Sequence, residues 1–135
     1  MARSTFIYVT YIRTTPEKLW DALTKPEFTR AYWCGTWQEC DWRPGSSWRL
    51  MIPDGRIGDS GEVLEIEPNR TLAYSWGGMG LESVVTWTLT PTSGGTHLRM
   101  EQAGFRADQQ QAYHGAKFGW AKFFANLEQV LARAD

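Results

Sequence analysis

Between residues 36 and 103, apolar side chains recur at every second position, in runs broken by short clusters of turn residues. Trp48, Leu50 and Ile52 form one set, and Leu72, Tyr74 and Trp76 another. Val85, Trp87 and Leu89 form a third, and Leu98, Met100 and Gln102 a fourth. The residues between them are mostly Arg, Ser, Thr, Glu and His. A period of two belongs to a strand with one face buried and the other wet. The breaks are Pro44-Gly45, Asp54-Gly55, Pro68-Asn69, Gly77-Gly78-Met79-Gly80 and Ser93-Gly94-Gly95, all residues that favour reversal of the chain. Connections this short join antiparallel neighbours, because parallel pairing needs a crossover of about a dozen residues. Strands are expected at about 36–42, 47–52, 61–67, 71–76, 81–90 and 96–103. Glu62 shares the parity of Leu64 and Ile66, so a bulge near Gly61 is expected to turn it outward.

A sheet with one apolar face needs a cover. Trp120, Phe123, Phe124, Leu127, Val130 and Leu131 recur at helical spacing near the C-terminus, which marks a long amphipathic helix. Upstream, Gly115 and Gly119 weaken its start. At the other end, TFIYVTYIR (residues 5 to 13) is β-branched and aromatic and reads as a strand. TTPEKLWDALT follows, with Thr15 as N-cap, Pro16 at the first helical position and Glu17 at the positive helix end. Pro26 interrupts this helix, and residues 27 to 33 form a second short one. The order is strand, two short helices, six strands, one long helix. This is an α+β fold, a curved antiparallel sheet of about seven strands wrapped around the C-terminal helix.

The 135 residues suit one domain spanning 1–135. A formal net charge of −1, without a basic stripe, argues against nucleic-acid binding. The N-terminal apolar residues alternate with polar ones and do not form a signal peptide. No apolar run approaches the roughly 20 residues needed to span a bilayer, so no membrane association is expected and the reading is cytoplasmic. In a reducing compartment Cys34 and Cys40 are expected as ordinary thiols. Their six-residue separation, with only His97 and His114 to join them, does not suit a metal site. The GGMG loop opens no helix, so it does not resemble a phosphate cradle. No cofactor is called for.

These elements and particular residues together resemble the SRPBCC superfamily, the helix-grip fold shared with START lipid-transfer domains and birch-pollen allergens. Within it the chain is most similar to the family named after the C-terminal domain of the activator of the heat-shock-protein-90 ATPase. The matching pieces are TTPEKLWDALTKPE with the following Trp33, DWRPGSSWRLMIPDG, GEVLEIEPNRTLAYSW, VTWTLTPTSGGTHLRMEQAGF and GWAKFFANLEQVL. They lie in the family's order over nearly the whole chain. Ser46 departs from the second glycine usual after Gly45. The resemblance implies a fold and a cavity, with members that include binders, lipid carriers and cyclases. The co-chaperone behind the family's name has a further N-terminal domain, for which this chain has no room.

The eight tryptophans then carry the functional reading. Trp20 and Trp120 lie on apolar helix faces and are expected in the core. Trp48, Trp76, Trp87 and Met100 share the sheet face beneath the terminal helix, where they serve either as core or as the lining of a pocket. The resemblance places Trp33 and Trp37 at the cavity entrance, with the loop that contains Met79 nearby. Trp37 and Trp42 have opposite parity, so one of them is expected outside. Tyr74, Gln102 and His114 are the polar candidates for orienting a ligand, and His97 should be solvated. Three readings stand. In the first, a hydrophobic or aromatic small molecule binds between sheet and helix. The second is a cavity enzyme of cyclase, isomerase or hydrolase type using His114 or a tyrosine as acid/base. The third is an interaction module, with exposed tryptophans serving a protein partner or a homodimer, or a stress-related, co-chaperone-like protein.

Overall fold

The structure is a computed structural model that describes residues 3–32, 35–78, 81–106 and 110–133. In chain order the elements are β1 (Arg3–Ile12), α1 (Pro16–Thr24), α2 (Pro26–Tyr32), β2 (Trp37–Cys40), β3 (Ser47–Met51), β4 (Ile57–Glu67), β5 (Thr71–Gly78), β6 (Leu81–Thr92), β7 (Gly95–Arg106) and α3 (Gln110–Arg133). All seven strands join one sheet in the order β1-β7-β6-β5-β4-β3-β2, each antiparallel to its neighbours. Successive strands pair through short turns, and only β1 reaches its neighbour by a long path. This is the helix-grip arrangement that the resemblance implies.

Local chemistry explains the helix ends. The Thr15 hydroxyl accepts a hydrogen bond from the Lys18 backbone N–H at 3.2 Å, and Pro16 fills the first turn, where no N–H is needed. Pro26 cannot continue α1: Lys25 before it is extended, and α2 begins at the proline.

The apolar sides of sheet and helix meet in one core. From the sheet come Phe6, Trp48, Val63, Leu72, Tyr74, Val85, Trp87, Leu89, Leu98, Met100 and Phe105. From α3 come Trp120, Phe123, Phe124, Leu127 and Leu131, and α1 adds Leu19, Trp20 and Leu23. The Tyr8 ring stacks on Phe124 with centroids 4.0 Å apart, which ties β1 to α3.

One strand departs from the alternation. Along β4 the pairing with β5 shifts between Val63 and Glu65, so Leu64 is the extra residue. Val63 is therefore buried, and Leu64 is 51 % exposed beside an exposed Glu62. The bulge falls just beyond Gly61, and Glu62 and Leu64 both turn outward, away from the side of Ile66, as expected for Glu62.

Candidate ligand-binding site

The concave face carries a continuous series of rings. Trp42 lies 6.5 Å from Tyr74 between centroids, Tyr74 5.2 Å from Trp48, and Trp48 5.1 Å from Trp76. Trp76 lies 6.0 Å from Trp120 on α3, and Trp120 5.7 Å from Trp87. Tilted and edge-on geometries predominate, as the ring quadrupole favours. Trp48 and Trp87 are fully enclosed, whereas Trp42 and Trp76 are half-buried.

Each enclosed indole also has a hydrogen-bond acceptor, as a buried N–H requires. Trp48 Nε1 donates to the Ser75 carbonyl at 2.8 Å, Trp87 Nε1 to the Tyr74 hydroxyl at 3.0 Å, and Trp120 Nε1 to Gln102 Oε1 at 2.8 Å. Gln102 Nε2 donates to the Ser83 hydroxyl, which itself donates to the Trp76 carbonyl. Gln102 is thus committed at both ends of its amide.

Tyr74 differs. Its hydroxyl accepts from Trp87, but its own proton has no acceptor among the described residues. Burial pushes its pKa up to about 12, while the Trp87 hydrogen bond and the adjacent Gln38 amide pull the other way without cancelling the effect. Near neutral pH this group keeps its proton and does not serve as a base. The Gln38 amide is the second exception. Gln38 is buried, stands close enough to influence the Tyr74 hydroxyl, and leaves Nε2 without a completed hydrogen bond.

The structure brings together Trp48, Tyr74, Trp76, Trp87, Met100 and Gln102. Trp37 is placed elsewhere: it alternates with Gln38 along β2, and its ring lies 4.2 Å beneath the Arg30 guanidinium. His114 is exposed near the start of α3. Trp33 and Met79 lie outside the described residues. Sequence reasoning singled out neither Gln38 nor Trp42 as a site residue. The signal for Gln38 was its parity with Cys40 in a strand facing Leu50 and Trp48. Trp42 follows the end of β2 with φ 54, so strand parity does not govern it, and its Nε1 donates to the Thr24 carbonyl at 3.2 Å. Cys40 is a free thiol that accepts from the Trp42 backbone N–H.

Solved structures share this fold. Protein MLL2253 from Mesorhizobium loti is 45 % identical, with a TM-score of 0.88 over 98 % of this chain and 99 % of that one. CalU16 from Micromonospora echinospora is 24 % identical, with a TM-score of 0.81 over 96 % of this chain and 74 % of that one. The Aha1 dimer from Colwellia psychrerythraea is 19 % identical, with a TM-score of 0.76 over 95 % and 96 % of the two chains. No curated protein matches the sequence. The sequence pattern of the SRPBCC family described as "Activator of Hsp90 ATPase homolog 1-like protein" matches residues 13–132, and the chain belongs to that family.

Proposed function

We propose that this protein binds a small hydrophobic molecule, aromatic in character, between the concave sheet face and α3. The observation that carries this reading is the gradient along the ring series. Its interior members, Trp48 and Trp87, are sealed and hydrogen-bonded, while Trp42 and Trp76 keep part of their indole surface accessible. Such partly open rings offer stacking area at little cost in side-chain entropy. The rest of the face supplies apolar contact, with Met100 able to adapt its shape. A thermal-shift screen of aromatic, lipid-like and polyketide-like compounds, with tryptophan fluorescence in parallel, tests the reading. A compound that raises the midpoint and quenches fluorescence supports it, and Trp76→Leu should weaken that response. Silence across the panel counts against it.

A second reading concerns assembly. β1 is an edge strand of ten residues, and its outer face shows Ile7, Val9 and Tyr11, 47 %, 51 % and 47 % exposed. An open edge with apolar side chains is a template for pairing. A second copy satisfies it by symmetry, because an antiparallel β1–β1 pair is self-complementary. Sedimentation equilibrium tests this: Val9→Lys should lower self-association, and a strictly monomeric wild type removes the reading.

A further inference from the structure

We infer that Gln38 and Tyr74 together form a seat for the carbonyl oxygen of an aromatic ligand, an inference that rests on the binding reading above. The starting point is the Gln38 amide. Its Nε2 is the only fully enclosed side-chain polar atom among the described residues that has no hydrogen-bond partner. A buried donor without an acceptor costs free energy that folding must offset, and a structure otherwise so well satisfied gives that atom a purpose.

A second unused donor stands beside it. The Tyr74 hydroxyl already accepts from Trp87, so what it has left to offer is its proton, and burial keeps that proton in place. Gln38 lies on β2 at one edge of the sheet, and Tyr74 lies on β5, three strands away in sheet order. Only the curl of the sheet brings the two together. Two neighbouring donors match the two lone pairs of one carbonyl oxygen.

The surroundings specify the rest of the molecule. The buried polar residues among those described are Thr24, Thr29, Gln38, Ser83, Thr96 and Gln102, none of them charged. A carboxylate or phosphate would meet no counter-charge there, whereas a neutral carbonyl needs none. Trp42 and Trp76, both only half-buried, flank Tyr74, and their ring faces suit a flat conjugated body. Trp42 also supplies a route in. It is half-buried, its backbone sits in the left-handed region that bulky residues avoid, and its indole is held by one hydrogen bond of 3.2 Å. Swinging that ring away uncovers the Tyr74 side.

The test uses matched probes that differ only in the carbonyl: 9-fluorenone against fluorene, and benzophenone against diphenylmethane. Affinities for the full chain are measured by tryptophan quenching and by calorimetry. Wild type should prefer each ketone by about tenfold or more, the scale of one to two net hydrogen bonds. Its bound ketone should show a C=O stretch shifted to lower frequency. Gln38→Met keeps the length of the side chain and removes the donor. It should bring the preference close to unity, restore the stretch toward that of a non-bonded ketone, and leave the hydrocarbon's affinity unchanged. It should also melt at or above the wild-type temperature, because it removes an unsatisfied group. Equal binding of ketone and hydrocarbon by wild type, or a preference that survives Gln38→Met, overturns the seat and leaves the binding reading standing. Failure of all four probes, with no response across the wider compound panel, overturns both.

Discussion

Trp48 and Gly61 face each other across β3 and β4, and the indole of the first occupies the space that a side chain on the second would need. A Cβ on Gly61 would stand 2.5 Å from Trp48 Nε1 and collide with the Ser75 carbonyl, the two groups that bond to each other at 2.8 Å. The glycine thus permits the hydrogen bond from the Trp48 indole to the sheet backbone. Gly61→Ala should lower stability by about 3 kcal/mol, since neither the strand backbone nor a packed indole yields easily. Urea unfolding followed by tryptophan emission measures this, and a loss below about 1 kcal/mol would show that the sheet adjusts.

Trp76 and Trp87 share the concave face but should respond differently to the same change. Trp87 is sealed and donates to Tyr74, so Trp87→Leu should cost about 3 kcal/mol or more by leaving a void and one hydroxyl lone pair unpaired. Trp76 is half-buried, and Trp76→Leu should cost about half as much. A pair of denaturation curves decides, and equal losses would place Trp76 in the same sealed core as Trp87.

Tyr74 makes stability depend on pH at the alkaline end. Its pKa rises from 10.0 unfolded to about 12 folded, so the native state holds the proton more tightly. The corresponding stability, on the order of 3 kcal/mol, is complete below about pH 10 and lost progressively as pH rises toward 12. Tyr8 is raised as well, by burial first and then by the Glu128 carboxylate, and adds to the loss in the same direction. Tyr74→Phe should remove most of the slope between pH 9 and 11.5 in urea titrations. A slope unchanged by that substitution would place its origin elsewhere.

Thr15→Ala should destabilise the protein by about 1 kcal/mol, because the Lys18 N–H loses its side-chain acceptor at the start of α1. Thr15→Asp, which keeps an acceptor and adds charge at the positive helix end, should restore the loss. Thermal melts of the two variants make the comparison.

Strand alternation and helical spacing are local properties, and the chain declares them residue by residue. The inward direction of Trp48, Leu50, Tyr74, Trp87 and Met100, the α3 stripe from Trp120 to Leu131, and the Thr15-Pro16 start of α1 were all legible in this way. Each follows from the fixed geometry of one element together with the burial of apolar surface. Three features were not legible, for a common reason. A bulge near Gly61 is expected from the sequence, but its exact place, which exposes Leu64 and buries Val63, depends on how β4 registers against β5. Trp42 leaves the strand pattern in a left-handed turn whose indole anchor, the Thr24 carbonyl, belongs to α1. The meeting of Gln38 with Tyr74 requires the sheet to curl until β2 confronts β5. Hydrogen-bond satisfaction is a property of the assembled interior, so only the tertiary structure decided that Gln102 is fully committed while the Gln38 donor is left unused.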